Sequence, residues 1–353
     1  MNRKYLLMAS RFLTLAVGAL LLYSCTEPAT KPVKAEKKDS VSLESPKPVI
    51  ATIERIDPAL DEIIQASAKV ETIAEGFKWS EGPLWIEAQQ ALIFSDIPNN
   101  TIFKWTAAKG KEVYLKPSGY TGSVARGGES GSNGLALNTK GQLILCQHGD
   151  RRIALMNAPL NAPKADFLTI ADHYQGKKFD SPNDVIALSN GDYMFTDPPY
   201  GIADDSLKEA PYQGIYKTSA DGKTVLLTDT ITRPNGIAVF PGEKSILIGN
   251  SDSDKAIWYK YDLNDKHEFS NPRIFYNATA EGRRDKGSPD GLKIDSRGNV
   301  FASGPGGLWI FDKNAKILGK IKVNQSVSNC ALSANEKTLF ITADYYVLKV
   351  DMR

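Results

Sequence analysis

The sequence predicts an all-β protein, and in particular a six-bladed β-propeller. Six segments share one pattern: a polar residue, usually followed by Gly, then a short apolar strand, a turn and a second apolar strand. A third apolar run often completes the unit. Three or four strands in roughly fifty residues, repeated six times, is typical of propeller blades. A solenoid or a β-sandwich is the alternative, but neither explains why one polar residue begins every unit.

Each repeat begins with a polar residue and a short strand, and the starts are 39 to 55 residues apart. A turn rich in Gly, Asn or Pro follows, such as Ser189-Asn190-Gly191, and then an aromatic and β-branched run such as Tyr193-Met194-Phe195. The six starts are Glu81-Gly82-Pro83-Leu84-Trp85, Asn133-Gly134-Leu135-Ala136-Leu137, Asn183-Asp184-Val185-Ile186-Ala187, Asn235-Gly236-Ile237-Ala238-Val239, Asp290-Gly291-Leu292-Lys293-Ile294 and Asn329-Cys330-Ala331-Leu332.

The residues that lead the six repeats are predicted to form a ring. The innermost strand of each blade lines the channel of a propeller, so equivalent positions converge at one mouth. Carboxylate and amide oxygens are hard donors that suit calcium, magnesium or manganese. Asn-Gly and Asp-Gly also form simple hairpin turns, but each unit already has a turn about five residues later. The leading residues are Glu81, Asn133, Asn183, Asn235, Asp290 and Asn329.

The N-terminus has the pattern of a signal peptide over residues 1–24, with a basic start and an apolar run over residues 12–23. That run is shorter than the roughly 20 residues a membrane span needs. Leu22-Tyr23-Ser24-Cys25 resembles a bacterial lipobox, in which Cys25 becomes lipidated. An ordinary cleaved signal followed by an unrelated cysteine is the alternative. We expect a periplasmic or outer-membrane lipoprotein of the cell envelope, bound to the membrane only through this anchor.

Composition divides the rest of the chain in two. Residues 25–59 are predicted to be the lipidated cysteine and a disordered linker, because Pro, Lys, Glu and Ser dominate there. Residues 60–353 are predicted to be the propeller, which we expect to be a monomer. After Cys25, only Cys146 and Cys330 remain. Either both are buried free thiols or they form one disulfide, since geometry decides whether the bridge can close.

Charge and motifs exclude several functions. The net charge of +2 becomes −1 once the three basic residues of the leader are removed, and no long basic run remains. Nucleic-acid binding needs a basic footprint, so we expect no nucleic-acid partner. No Gly-x-Ser-x-Gly elbow lies between a strand and a helix, which argues against a serine nucleophile.

From about Val70 to the C-terminus, the sequence resembles the gluconolactonase and regucalcin (senescence marker protein) family of calcium-dependent lactonases. The segments 147–152 and 196–201, Gln-His-Gly-Asp-Arg-Arg and Thr-Asp-Pro-Pro-Tyr-Gly, resemble its bacterial gluconolactonase branch in particular. The other matching segments are Ser80-Glu81-Gly82-Pro83-Leu84-Trp85, Ser181-Pro182-Asn183-Asp184, Arg233-Pro234-Asn235-Gly236 and Ser288-Pro289-Asp290-Gly291.

The resemblance implies a metal site. Glu81, Asn235 and Asp290 match the metal ligands of the family, and Asn183 matches a further polar residue at the metal, as a ligand or a substrate contact. The resemblance implies a divalent ion, Ca²⁺ first, with Mg²⁺, Mn²⁺ or Zn²⁺ as alternatives. Animal members carry an Arg where Ser181 stands here, so a sugar contact by that Arg is absent or supplied elsewhere. Asn133 belongs to the ring by position, and we expect it to contact substrate or a metal-bound water.

The predicted function is metal-dependent hydrolysis of a small sugar lactone or ester at the central mouth. The ion would polarise the carbonyl, and Asp290 is the first candidate for general base. A carboxylate bound to a cation is a weak base, so His148 is a competing candidate, because an unperturbed imidazole titrates near neutral pH. A non-catalytic propeller that binds a sugar or protein, and a metal-dependent lyase or isomerase, are the alternatives.

Overall fold

The computed structural model describes residues 48–353, and six antiparallel sheets make up most of their regular structure. The sheets are arranged as the blades of a β-propeller, which confirms the predicted fold class. Blades are numbered here by the repeat that begins them. Short hairpins join many of the neighbouring strands within a blade, and the pairing is antiparallel throughout.

The first four blades follow each other along the chain. Blade 1 consists of Ser80–Ile86, Ala91–Asp96, Thr101–Thr106 and Gly110–Leu115. Blade 2 consists of Ser132–Leu137, Leu143–Gln147, Arg152–Met156 and Phe167–Ala171. Blade 3 consists of Val185–Ala187, Tyr193–Asp197, Gly214–Thr218 and Thr224–Thr228. Blade 4 consists of Pro234–Val239, Ser245–Asp252, Lys255–Leu263 and Phe269–Asn277.

The last two blades take strands from both ends of the described chain. Blade 5 consists of Leu292–Ile294, Val300–Gly304, Gly307–Phe311 and Ile317–Val323, with Ala51–Arg55 as a fifth, outermost strand. Blade 6 consists of Val327–Leu332, Thr338–Ala343 and Tyr346–Asp351, with Val70–Glu75 as its outermost strand. In blade 6, Val70 lies opposite Val350, so ladder hydrogen bonds between the two ends of the chain close the ring of blades.

The strand Ala51–Arg55 differs from the expectation that the linker stays disordered up to residue 59. It pairs with Ile317–Val323, with Ala51 opposite Val323. Ala51 and Ile53 pack against the core cluster that contains Leu60, so even this polar segment buries enough apolar surface to be ordered. The predicted signal peptide, Cys25 and most of the predicted linker lie outside the described residues.

The remaining elements are short. A two-stranded hairpin pairs His173–Tyr174 with Lys177–Lys178, and the α-helix Thr279–Gly282 precedes blade 5. The single-turn 3-10 helices are Pro58–Glu62, Glu87–Gln89, Ile97–Asn99, Pro199–Gly201 and Asp205–Leu207. Within residues 48–353, no helix is long and apolar enough to cross a bilayer.

Aromatic side chains fill the interfaces between blades. Trp85 of blade 1 stacks on Phe340 of blade 6, with 5.1 Å between ring centroids. Trp258 of blade 4 lies 5.7 Å from Trp309 of blade 5, and both are fully buried. Offset and tilted arrangements at these distances are the favourable ones for aromatic pairs. The core is therefore a series of layers between blades, and the centre of the molecule is left to the innermost strands.

Glycine at the second position of the repeat allows neighbouring innermost strands to approach closely. A Cβ added at Gly236 would lie 2.2 Å from the carbonyl oxygen of Asp290, and one at Gly134 would lie 2.7 Å from that of Asn183. Both contacts are shorter than any Cβ tolerates, and both are to the main chain of the next blade. The Asn-Gly pairs therefore set the distance between blades, rather than turning the chain.

We expect Gly236→Ala to destabilise the propeller by about 1–3 kcal/mol, the usual range for overpacking at a site that cannot relax. The matched control is Gly282→Ala, whose added Cβ would lie 3.4 Å from Ala256 Cβ, an ordinary contact. Denaturant unfolding of both variants checks the prediction. Equal stability of the two would show that the inner strands can move apart freely.

Candidate functional site

The residues that lead the six repeats lie at the beginnings of the innermost strands. Five of them are at most 5 % exposed, and Asp290 alone is half-buried. Asp290 is therefore the leading residue most open to solvent. The five buried residues are Glu81, Asn133, Asn183, Asn235 and Asn329.

Contacts between neighbouring blades connect these residues around the centre. The Gly134 N–H donates a hydrogen bond to the carbonyl oxygen of Asn183 at 2.8 Å. Between the last blade and the first, Asn329 Nδ2 donates to Glu81 Oε2 at 3.1 Å. The leading residues of adjacent blades are thus neighbours in space although about fifty residues separate most of them in sequence.

Hydroxyl groups on the second strands hold the leading segments in place. Each donates to a main-chain carbonyl of the next blade, so each side chain joins two blades. Buried main-chain carbonyl groups need hydrogen-bond partners, and these hydroxyls supply them. The bonds are Ser95 Oγ to Asn133 O at 2.9 Å, Thr196 Oγ1 to Asn235 O at 2.8 Å and Ser303 Oγ to Ser328 O at 3.1 Å.

The amide of Asn235 is oriented by Ser251. Asn235 Nδ2 donates to Ser251 Oγ at 3.0 Å, and that hydroxyl in turn donates to the carbonyl oxygen of Pro289. The Asn235 side chain also lies close to the Asp290 carboxyl group and acts to lower its pKa. Because the NH₂ group is engaged on the protein side, the Asn235 carbonyl oxygen remains available to a ligand.

Three carboxyl groups meet at the centre with little opposing charge. Burial raises the pKa of Glu81 to about 7, and the charge of Asp184 adds to the rise, against hydrogen bonds from the Gly82 N–H and Asn329. Burial, then the charges of Glu81 and Asp184, raise the pKa of Asp290 well above its ordinary value. These carboxyl groups therefore disfavour one another's ionised forms.

Lys293 supplies a positive charge to this group. Its Nζ donates to the carbonyl oxygen of Leu292 at 3.0 Å and lies 3.5 Å from Asn329 Oδ1. Its charge acts to lower the pKa of both Glu81 and Asp184. One ammonium thus faces three carboxyl groups, which leaves an excess of negative charge.

Sequence reasoning missed Asp184, which stands where most other repeats have Gly. Its Oδ1 accepts from the Val185 N–H at 2.9 Å, and its Oδ2 accepts from the Ile237 N–H of blade 4 at 3.3 Å. The side chain therefore joins blade 3 to blade 4. The third repeat begins with Asn-Asp where most others begin with Asn-Gly, and this difference could have drawn attention to Asp184. The sequence does not show, however, where the Asp184 carboxylate points.

The donors at the centre fit a hard divalent cation. Carboxylate and amide oxygens from Glu81, Asn183, Asn235 and Asp290 are the types that Ca²⁺ and Mg²⁺ prefer, whereas structural zinc sites use Cys and His. Residues 48–353 hold no cluster of three or more His, Cys, Asp or Glu side chains arranged for a metal. Amide oxygens would therefore have to complete the ligand set, and the excess negative charge favours a cation.

His148 lies beside the leading residues but is enclosed. Its ring is fully buried, and Nδ1 is 3.2 Å from Glu129 Oε2. That pair lacks hydrogen-bond geometry, and neither ring nitrogen has a hydrogen-bond partner in the described part of the chain. Gly201 packs against the ring, since a Cβ there would be 2.5 Å from His148 Cβ. Glu129 also approaches Asp290, whose pKa its charge helps to raise.

Ser181, which stands where the sequence analysis noted an Arg in animal members of the family, has a structural role here. The Gly201 N–H donates to Ser181 Oγ at 2.8 Å, and Ser181 Oγ donates to the carbonyl oxygen of Pro198. Arg126 Nη2 donates to the Gly201 carbonyl oxygen at 2.6 Å. The loop 198–201, which carries Tyr200, is therefore fixed at both ends.

Neither cysteine pairs with the other. Cys146 and Cys330 are both free and buried. Of the two alternatives, buried free thiols or one disulfide, the structure therefore has the free thiols. Burial raises the pKa of the Cys330 thiol to about 12, which keeps it in its unreactive, protonated form.

A cleft of about 710 Å³ lies elsewhere, lined by Ala88, Lys140, Asn157 and their neighbours. These residues come from the turns and outer loops of blades 1 and 2, and none of them leads a repeat. The cleft holds no convergent ionisable groups, so we assign the chemistry to the polar centre and not to this cleft.

A second buried polar cluster was also missed. Asp180 is 1 % exposed, and neither of its carboxyl oxygens has a hydrogen-bond partner within residues 48–353. The nearest cation is Arg151, whose Nη2 is 3.9 Å from Asp180 Oδ1. Burial raises the pKa of Asp180 to about 6, although the charge of Arg151 opposes the rise.

A six-bladed propeller with carboxylate and amide side chains at the start of its innermost strands is the class of protein that the fold and site define. Residues 79–344 match the family described as the SMP-30/gluconolactonase/LRE-like region. The chain belongs to this family, which confirms the resemblance found in the repeat motifs.

Two relatives support this assignment by sequence. The gluconolactonase of Zymomonas mobilis is 36 % identical over 310 residues, which cover 85 % of this chain and 86 % of that protein. Regucalcin of Xenopus laevis is 22 % identical over 286 residues, which cover 79 % and 87 % of the two chains.

Solved structures agree with the fold. A gluconolactonase from Xanthomonas campestris is 26 % identical, with a TM-score of 0.75 over 87 % of this chain and 97 % of that one. A regucalcin from Agrobacterium tumefaciens, described as a calcium-binding protein, has a TM-score of 0.62 at 15 % identity, over 80 % of this chain and 94 % of that one. At that identity the likeness shows the fold alone.

We expect the unpaired Asp180 carboxyl group to make stability depend on pH. The folded state holds its proton up to about pH 6, whereas an unfolded Asp loses it near pH 3.9. The favourable contribution is therefore complete below about pH 4 and is lost as pH rises through 6. Melting temperatures between pH 4 and 8 should fall less steeply for Asp180→Asn than for the unmutated protein. Asp229→Asn, at an exposed position, is the control and should show the same dependence of melting temperature on pH as the unmutated protein. If Asp180→Asn also showed that dependence, Asp180 would not be the group responsible.

Proposed function

We propose that this protein is a metal-dependent hydrolase that opens a small sugar lactone or ester at the centre of the propeller. The observation that supports this most directly is the convergence of buried carboxylate and amide oxygens from different blades. The 36 % identical relative named a gluconolactonase supports the lactonase class. A substrate of this kind is a small ring with hydroxyl groups, which suits a polar site.

Glu81, Asn183, Asn235 and Asp290 would hold the divalent ion, with Ca²⁺ as the first choice. When bound, such an ion supplies Lewis acidity for the lactone carbonyl and stabilises the negative charge that develops on its oxygen. Asp184 is not assigned as a ligand, because both of its oxygens already accept main-chain N–H groups.

Asp290 is the proposed general base. It is the leading residue most open to solvent, so a water molecule can reach its carboxylate. The carboxylate takes a proton from that water as the oxygen attacks the carbonyl carbon of the lactone. The bond from that carbon to the ring oxygen then breaks, and Asp290 returns its proton to the ring oxygen, which becomes a hydroxyl group. The Asn235 side chain lies close to this carboxylate and favours its ionised form.

The other polar residues of the site bind and orient substrate. Asn183 and Asn133, both buried at the centre, offer amide groups to the hydroxyl groups of the lactone. His148 is the second candidate for the base, because its Nε2 makes no hydrogen bond within the described chain. Its complete burial requires the loop that carries Gly201 to move before water can reach it.

Anchoring through Cys25 would place this hydrolase in the cell envelope, as a monomer held by a lipid at its N-terminus. Sugar lactones that arrive from outside the cell fit that location. Growth with labelled palmitate, followed by recovery of the protein and of Cys25→Ser, tests the anchor. Label on the Cys25→Ser variant would exclude it.

We expect the purified protein to hydrolyse aldonolactones, to lose activity with EDTA and to regain it with Ca²⁺. Asp290→Asn should lower kcat by about 10²–10⁴-fold, the usual contribution of a general base. Asp254→Asn, in an exposed loop, is the matched control and should keep full activity. A pH-stat assay measures the acid released from each lactone.

The same assay distinguishes the two bases and the competing functions. His148→Gln should retain most activity if Asp290 is the base, and a loss equal to that of Asp290→Asn would transfer the role to His148. If no lactone is opened while Ca²⁺ still raises the melting temperature, the hydrolase proposal fails, and a sugar- or protein-binding propeller, or a lyase or isomerase, takes its place.

A further inference from the structure

Arg233 lies at the edge of the candidate metal site. It precedes the proposed ligand Asn235 by two residues, and its carbonyl oxygen accepts from the Ser251 N–H at 2.9 Å. Ser251 is the residue whose hydroxyl holds the Asn235 amide. The Arg233 side chain is exposed, so its guanidinium lies in solvent next to the site and not in the core.

Tyr200 lies near Arg233. The loop 198–201 carries Tyr200 toward the centre, where its hydroxyl lies close to Ser251 and Arg233 and within reach of the charge of Asp290. Burial and the charge of Asp290 raise the pKa of Tyr200 to about 12, so the phenol keeps its proton. Tyr200 and Arg233 thus form one wall beside Asp290, with a neutral hydroxyl and a cation.

Asp252 is a surface carboxylate near Arg233, but the two side chains form no ion pair. Asp252 Oδ2 accepts from Thr232 Oγ1, and its Oδ1 accepts from the Asp254 N–H. No Asp or Glu within residues 48–353 forms an ion pair with Arg233. A guanidinium carries five N–H donors, and the contact with Tyr200 engages only part of them.

With a divalent ion bound, the innermost charged groups of the site would balance one another. The carboxylates of Glu81, Asp184 and Asp290, the ammonium of Lys293 and one divalent ion sum to zero. Glu129 adds a carboxylate near Asp290, and Arg233 is an exposed cation beside the same group. A charged group at the entrance of a low-dielectric site selects ligands of the opposite sign.

We propose that Arg233 and Tyr200 form a subsite for an anionic group of the substrate, so that the preferred lactones carry a carboxylate outside the ring, as lactones of aldaric and uronic acids do. This inference rests on the proposed function and specifies its substrate class. Arginine suits the role because its planar guanidinium binds carboxylates through two parallel hydrogen bonds. The Tyr200 hydroxyl adds a donor to the same carboxylate or to a neighbouring hydroxyl of the sugar.

The test compares an anionic and a neutral lactone, D-glucaro-1,4-lactone and D-glucono-1,5-lactone. We expect kcat/KM to favour the anionic lactone. Arg233→Met should raise KM for that lactone by about 10-fold or more, the range for loss of a hydrogen bond to a charged group. KM for the neutral lactone, and kcat for both, should stay nearly unchanged. Tyr200→Phe should raise KM for the anionic lactone by about 5-fold. Arg283→Met, an exposed Arg elsewhere, is the matched control.

A binding measurement separates this inference from the hydrolase itself. In the presence of Ca²⁺, D-glucarate should raise the melting temperature of the protein more than the uncharged sugar alcohol D-glucitol does. Arg233→Met should abolish that difference and retain the rise caused by Ca²⁺ alone. Arg233→Lys should retain only part of the difference between D-glucarate and D-glucitol, because an ammonium cannot bind a carboxylate through two parallel hydrogen bonds.

The outcomes are distinguishable. If the protein opens neutral lactones and Arg233→Met changes KM for both lactones equally, the subsite is wrong and the hydrolase stands. If no lactone is opened but the glucarate shift depends on Arg233, the subsite stands as a sugar-acid binding site and the hydrolase is wrong. If neither activity nor an Arg233-dependent shift is found, both proposals fail.

Discussion

The close approach of neighbouring innermost strands is the constraint on which the rest of this structure depends. The main chain of the next blade lies so close to Gly134 and Gly236 that a Cβ atom at either position would collide with it. Because the strands are this close, residues on different blades can share one polar centre. The hydroxyl groups of the second strands then hold each leading segment to its neighbour. The same short contacts therefore determine both packing and the position of the candidate ligands.

That convergence has an electrostatic cost. Buried carboxyl groups on separate blades face each other, and the charges of Glu81 and Asp184 both act to protonate Asp290. Lys293 offsets only part of this repulsion. A divalent ion at the centre would offset the rest, and any ion that binds the folded chain alone stabilises it by mass action. Catalysis and folding would then use the same ligand.

The fold and much of the site could be predicted because the repeats are visible in the sequence. Polar residues at regular intervals identify the innermost strands, and symmetry brings them together. Asp184 and Lys293 could not be found in this way, because their roles depend on where side chains point across a blade boundary. Tyr200 meets Ser251 through a loop whose path is fixed by tertiary contacts with Ser181 and Arg126. The strand Ala51–Arg55 could not be predicted from composition either. Its few apolar residues become buried only against a strand near the other end of the chain.

The outermost strand of blade 5 has a mechanical consequence. Within residues 48–353, Ala51–Arg55 is the first strand that a force applied at the N-terminal end would reach, and it is an edge strand paired with one neighbour. The strand that closes the propeller, Val70–Glu75, comes later in the chain and belongs to a different blade. Tension would therefore detach the short edge strand first, and it would break only the few hydrogen bonds that pair this strand with its neighbour. The closing strand, and with it the geometry of the centre, would be shielded from that pull.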